Sequence, residues 1–244
     1  MHRFPVETEL ILQDSPTLPR DAAKHLKVLR PQDGERFELF DGRGTSRVYV
    51  YAKGALVAAS QAVTAPAPER TLTLFACVTK GSRWDWTIEK ATELGVTRIV
   101  PVISDRTIVR IPASDRAAKR ERWQRIAEDA ARQSDAVRIP EILEPVDFKS
   151  SLGLVRQTTC FVGALVDPPA PALLAAAREV MTAQPSNFPT SQLSLYVGPE
   201  GDFTSEELSA LLEIAVPTSF GPTVLRAETA AIFGLSVLSG GIHS

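Results

Sequence analysis

The chain is poor in the residues that hold metals and disulfides. Its 244 residues include two cysteines and three histidines, too few and too scattered for a zinc cage. Cys77 and Cys160 sit in apolar runs, LTLFACV and TTCFVGAL. They read as buried free thiols of a reducing compartment, the cytoplasm. No apolar run approaches the roughly 20 residues that span a bilayer, so no membrane partner is expected. The opening stretch, MHRFPVETELILQDS, lacks the basic-then-apolar order of a signal peptide. Also missing are a GxxxxGK[ST] phosphate loop and a GxGxxG fingerprint after the first strand of the α/β region, which removes the common nucleotide-binding plans. No Ser-His-Asp or Cys-His set can be assembled. Nucleophilic and metal-assisted catalysis are therefore poorly supported. A reaction that needs positioning and charge complementarity fits better.

What is present is enough apolar material, 44% of residues, for one large domain or two small ones with a real core. The net charge of −2 hides an asymmetry. Residues 1–145 carry 23 Lys/Arg against 20 Asp/Glu, and residues 146–244 carry 4 against 9. The window 106–125 holds seven basic and two acidic residues. That block is either a solvated helix face or an electrostatic footprint for nucleic acid.

Residues 1–70 read as an all-β module. Strand-like runs ELIL, RFELF, SRVYVYA and GALVAAS are separated by the turn signals Gln32-Asp33-Gly34 and Asp41-Gly42-Arg43-Gly44. A helix over 20–29, capped by Asp21, is expected to interrupt them, and the arrangement suggests a small barrel. TAPAPER, 64–70, reads as a linker. From residue 71 strands and helices alternate. LTLFACV, TRIVPVI, 159–166 and 193–197 are buried-strand patterns. Helices are expected over 84–94 (ended by Gly95), 114–134 (opened by Ser114), 170–183, 205–215 (with a Thr204-x-x-Glu207 capping box) and 227–240. A loop rich in Pro, Ser and Asn fills 184–191. Repeated units of this kind predict a mainly parallel sheet with helices on both faces.

Two loops stand out. LYVGPEGDF, 195–203, puts glycines between a strand and a helix, where phosphates are often cradled. It has no lysine, however, and Glu200 and Asp202 would repel a phosphate. A tight turn fixed by Pro199 is one reading, and a ligand loop beyond a strand's carboxyl end is the other. In TVLRAETAA, 223–231, Arg226 and Glu228 interrupt an apolar stretch at a helix start. They are either a pair favoured by the helix dipole or site residues.

Taken together, HLKVLR (25–30), FDGRG (40–44), KATELGV (90–96), EDAARQS (128–134), LYVGPEGDF and FGPTVLRAETAA (220–231) resemble the RsmE family. These are 16S ribosomal RNA uridine N3-methyltransferases of the SPOUT class, and the resemblance runs over essentially the whole chain. It implies an α/β protein: an N-terminal PUA-like RNA-binding β-barrel, 1–70, and a C-terminal SPOUT α/β domain with a deep trefoil knot, 71–244. It further implies S-adenosylmethionine as cofactor, 16S rRNA of the small ribosomal subunit as partner, and a homodimer with helix 227–240 partly at its interface. Carried over by position, Gly198, Pro199, Glu200 and Gly201 match the second cofactor loop. Phe220, Gly221, Val224, Leu225 and Arg226 match the third, leading into Glu228, Thr229 and Ala230, and a further wall is expected near Leu165. Arg226 is the candidate for stabilising charge on the uracil, and Glu228 for orienting Arg226. RNA contacts are expected from Arg3, His25, Lys27, Arg30 and Arg43 on the barrel, and from Lys80, Arg83 and Arg138 on the catalytic domain. Two positions depart from the family pattern. Ala136 stands where an arginine is usual, and Asp202 where glycine is usual. A methyltransferase for another RNA, or an RNA-binding homologue impaired in catalysis, stays open beside the main reading.

Overall fold

A computed structural model describes residues 1–182 and 191–240. The expected loop 184–191 lies outside these except for its last residue. The chain divides into two compact units, one of 1–68 with 128–139, the other of 69–127 with 140–244. Each is described by itself.

The first unit is built on a five-stranded sheet. Strands β1 (His2–Pro5), β2 (Arg36–Phe40), β3 (Thr45–Ala52) and β4 (Ala55–Ala58) lie in that order, and β5 (Val63–Thr64) also pairs with β3. β1 runs parallel to β2, and the remaining pairs are antiparallel. Alternation in β3 sends Tyr49 inward, where it joins Phe4, Ile11, Phe37, Leu39 and Leu56 in one apolar core. The run ELIL is not a strand. It falls in a single helical turn, α1 (Thr8–Ile11), followed by α2 (Arg20–Leu29). Four apolar-rich residues cannot distinguish the two periods, and Ile11 reaches the core either way. Asp21 does not cap α2. Pro19 holds the N-cap position with no side-chain bond, and Asp21 lies inside the first turn. In the FDGRG turn, Asp41 Oδ1 accepts the backbone N–H of Arg43 (2.7 Å) and of Thr45 (2.9 Å), while Oδ2 accepts the Thr8 hydroxyl (2.9 Å).

The second unit is built on a seven-stranded sheet in which every pair is parallel, as the strand–helix alternation predicts. The strands are β6 (Thr71–Cys77), β7 (Arg98–Ile103), β8 (Glu141–Ile142), β9 (Val146–Asp147), β10 (Thr159–Gly163), β11 (Gln192–Val197) and β12 (Val216–Thr218). Their order is β12-β10-β11-β6-β7-β8, with β9 beside β7. The helices are α3 (Ser82–Glu93), α4 (Ala113–Gln133, whose residues from 128 on group with the first unit), α5 (Phe148–Val155), α6 (Leu173–Thr182), α7 (Ser205–Leu212) and α8 (Ala227–Gly240). Ser114 lies inside α4 rather than opening it. α5 and the short strands β8, β9 and β12 have no counterpart in the periodicity, because two to eight residues leave little pattern to read.

The central strands are apolar on both faces, and the two hydroxyls of β11 are paired. Thr158 bonds Ser194 at 2.6 Å, and Ser151 bonds Tyr196 at 2.7 Å. Cys77 and Cys160 are free and buried, and burial pushes both thiols up to about 12. The apolar helix α8 packs on α3, β6 and β11. Gly234 makes this close: a Cβ there would stand 2.5 Å from Leu195.

Candidate functional site

Three neighbouring strands of the second unit, β12, β10 and β11, end on the same side because they are parallel. The loops that follow them enclose a crevice of about 320 Å³, a volume suited to a small-molecule ligand. The wall after β10 is Gly163, Ala164 and Leu165. After β11 come Gly198, Pro199, Glu200 and Asp202. The wall after β12 runs from Thr218 through Phe220 and Val224 to Arg226, Ala227 and Ala230. Of the residues expected to hold the cofactor, Leu165, Gly198, Pro199, Glu200, Phe220, Gly221, Val224, Leu225, Arg226 and Ala230 line this crevice. Gly201 and Thr229 do not line it. Gly201 serves instead through its carbonyl, which accepts Arg106 Nη1 at 3.0 Å, and Arg106 also reaches Phe203 O at 3.3 Å.

Gly163 was not singled out by the sequence reading. A Cβ there would lie 2.4 Å from the Phe220 ring, so glycine lets that ring of the third loop lie close against the end of β10. Gly198 makes the same allowance for Phe203, at 2.9 Å. The GPEGDF loop passes directly into α7, whose capping box is complete. Thr204 Oγ1 accepts Glu207 N at 3.2 Å, and Glu207 Oε2 accepts Thr204 N at 3.1 Å. The other oxygen of Glu207 accepts Asp105 N at 2.9 Å, tying the loop after β7 to the same cap.

Charge in the crevice is arranged differently from expectation. Glu228 does not pair with Arg226. Its Oε1 faces Arg83 Nε at 3.8 Å, and its Oε2 is buried without a hydrogen-bond partner. Arg83 Nη1 also meets Glu200 Oε1 at 3.3 Å. Arg226 is exposed, and its side chain has no partner among the described residues. Two apolar side chains of the crevice wall stand open to solvent, Leu165 at 75% and Val224 at 82% exposure.

The basic residues expected to meet RNA fall into two groups. His25, Lys27, Arg30 and Arg43 in the first unit, and Lys80 and Arg83 in the second, are exposed. Arg3 and Arg138 have their donors turned to the protein. Arg3 is 3% exposed, bonds Glu38 at 2.6 Å and the carbonyls of Ala131 and Ala136 at 2.9 and 3.1 Å, and lies over the Phe40 ring. Arg138 donates to the carbonyls of Arg43, Ala65 and Pro66 within the first unit. Sequence alone could not separate the groups, since a basic residue looks the same whether its guanidinium meets solvent or a buried carbonyl.

A family model described as an RNA methyltransferase domain matches residues 66–239, and one described as an RNA methyltransferase PUA domain matches residues 18–54. The ribosomal RNA small subunit methyltransferase E of Synechocystis is 32% identical over 256 residues, spanning 100% of this chain and 78% of that protein. The protein of the same name from Mycobacterium tuberculosis is 30% identical over 219 residues, 86% of this chain and 80% of that one. Among solved structures, ribosomal RNA small subunit methyltransferase E from Neisseria gonorrhoeae, bound to S-adenosylmethionine, superposes with a TM-score of 0.79 at 26% identity. That match covers 98% of this chain and 96% of the other. A Legionella pneumophila methyltransferase in complex with the same cofactor gives 0.77 at 28% identity, over 97% and 95%.

Proposed function

The chain belongs to the RNA methyltransferase family that includes ribosomal RNA small subunit methyltransferase E, and on that premise we propose that it methylates N3 of a uridine in 16S ribosomal RNA with S-adenosylmethionine as donor. The observation that carries the reading is a crevice walled by three loops of adjacent parallel strands, with acids on one wall and the partner-free Arg226 on another.

The residues present fit that cofactor. Leu165 and Val224 offer apolar surface that a flat adenine would cover, and Glu200 and Asp202 suit a cation where they would reject a phosphate. When bound, S-adenosylmethionine supplies a methyl group activated by its positive sulfur. The chain's part is to position and to balance charge. Uridine N3 is a weak acid whose proton must pass to solvent as the methyl group arrives, and the negative charge that develops on the uracil is stabilised by a nearby cation. Arg226, free and at the crevice wall, is assigned that role. Glu228, two residues on, does not orient Arg226; its carboxylate faces Arg83 instead.

We read the finer features in the same way. Residues 1–70 are assigned to an RNA-binding PUA-like barrel and 71–244 to the methyltransferase domain, except that 128–139 group with the first unit. The last segments are assigned to the trefoil knot that the family resemblance implies, with α8 following β12 and packing on β11 and β6. A homodimer through α8 is supported by Phe233, an apolar side chain 41% exposed, and a reducing cytoplasm by the two free, buried cysteines. RNA phosphates are assigned to the exposed His25, Lys27, Arg30 and Arg43 of the first unit and Lys80 of the second, so affinity should fall as salt rises.

Mass mapping of 16S rRNA from a strain lacking this protein tests the assignment. One uridine should lose a methyl group and regain it on complementation, and an unchanged methylation map overturns the reading. Arg226→Ala should lower methyl transfer by at least about 100-fold, the scale of losing one charge-stabilising donor, while cofactor binding stays measurable. Near-normal turnover removes Arg226 from the mechanism.

A further inference from the structure

Arg83 stands in the first turn of α3 with 49% of its side chain exposed and faces two carboxylates, Glu200 Oε1 at 3.3 Å and Glu228 Oε1 at 3.8 Å. Glu200 belongs to the crevice wall, and its carboxylate has no other partner among the described residues. Glu228 keeps one buried oxygen unsatisfied. A single cation thus masks two acids, at separations longer than the 2.7–2.9 Å typical of a tight charge-assisted bond. A guanidinium held this loosely leaves most of its N–H donors unused, and a phosphate, whose oxygens match the guanidinium fork, can compete for it.

The reaction proposed above brings two charged molecules to this place. The methyl donor carries a sulfonium, whereas its demethylated product, S-adenosylhomocysteine, has a neutral sulfur. The RNA carries phosphates. An unmasked Glu200 favours the donor over the product, and a Glu200 masked by Arg83 favours it less. We propose that Arg83 is a positioning residue that couples RNA to cofactor choice: a phosphate of bound RNA takes the guanidinium from Glu200, and the freed carboxylate raises the crevice's preference for the sulfonium over the neutral product. The coupling is reciprocal, so the cationic donor bound in the crevice would release Arg83 toward phosphate. The enzyme then exchanges product for fresh donor most readily while RNA is engaged. The inference rests on S-adenosylmethionine being the cofactor, and its test keeps the two apart.

The test is calorimetric titration of the full chain with S-adenosylmethionine and with S-adenosylhomocysteine, at one ionic strength, with and without an oligouridylate. The readout is the ratio of the product's dissociation constant to the donor's. Arg83→Gln should raise that ratio roughly two- to fivefold, the worth of a partly exposed ion pair. The oligouridylate should raise it similarly in the parent chain and leave it unmoved in the variant. Arg83→Lys should behave like the parent, and Glu200→Gln should lower the ratio. A purely structural role for Arg83 would weaken both ligands in parallel and leave the ratio constant. That result overturns the proposal, as does an oligouridylate effect of equal size in parent and variant. If the parent chain binds neither ligand, the cofactor assignment fails first, and this inference with it.

Discussion

Asp202 sits in the left-handed region, with φ at 61°, and its Oδ1 accepts the N–H of Phe203 at 2.8 Å. This accounts for a residue that the sequence alone left unexplained. The position requires a conformation glycine adopts freely, and aspartate is one of the few other side chains that tolerates it, through a local hydrogen bond. Dihedral angles are not written in composition or periodicity, so only the structure could supply this reason. Asp202→Gly should therefore change stability by less than about 1 kcal/mol, since freedom gained offsets the bond lost. Asp202→Val, with neither a compatible backbone nor a hydrogen bond, should cost about 1–2 kcal/mol. Urea unfolding of the two variants distinguishes them, and equal stabilities would show that the turn is not strained. Gly163 is a sharper case at the same scale. An added methyl must push the Phe220 ring away from a 2.4 Å approach, which displaces the third loop. Gly163→Ala should weaken S-adenosylmethionine binding by about tenfold or more. The protein should stay folded, since overpacking typically costs about 1–3 kcal/mol. An unaltered affinity would mean that the ring moves without disturbing the crevice.

At the scale of elements, signals confined to a few residues were readable and long-range ones were not. The α7 capping box is complete as expected, because Thr204 and Glu207 need only each other. The further bond from Glu207 to Asp105 N, 102 residues away in sequence, carries no local signature. The FDGRG turn shows the same division. Its glycines mark a turn, while the bond from Thr8 to Asp41 joins α1 to it from 33 residues away. Burial raises the Asp41 pKa, but the N–H bonds from Arg43 and Thr45 and the Thr8 hydroxyl outweigh it and hold the carboxyl below its ordinary value. A group whose folded pKa is lowered contributes stability above its unfolded pKa, about 4. That contribution is lost as pH falls through the folded value. Asp41→Ala should destabilise the chain by about 1–3 kcal/mol near neutral pH, since it leaves two backbone N–H groups and a hydroxyl without their acceptor. The gap between parent and variant should narrow as pH drops below about 4. Denaturant melts across that range measure it, and a gap independent of pH would assign the loss to packing instead of charge.

For the whole molecule, the parallel sheet was legible because its four longest strands, β6, β7, β10 and β11, each declare themselves by a continuous apolar run. The strand order β12-β10-β11-β6-β7-β8 was not, since it depends on which strands meet after long crossovers, and it is this order that sets the three crevice loops side by side. The same sheet makes a prediction about its two thiols. Cys77 lies on β6 and Cys160 on β10, both are buried, and both thiols are pushed up to about 12 by burial. Only thiolate reacts, so at mild alkaline pH on the order of one molecule in 10⁴ would be ionised even if reagent could enter. Labelling by a disulfide reagent must therefore wait for opening of the sheet, and its rate should follow the open population. β10 and β11 end in crevice walls, so a ligand held by those walls binds only the closed form. Saturating S-adenosylmethionine should then slow labelling of Cys160 in proportion to 1 + [L]/Kd, roughly a hundredfold at a hundred times Kd. Cys77 should be protected to the same degree if β6 opens together with β10, and less if β10 and its loops open alone. The two labelling rates, followed by mass spectrometry with and without cofactor, decide between these outcomes and show whether the crevice shares its stability with the sheet that carries it.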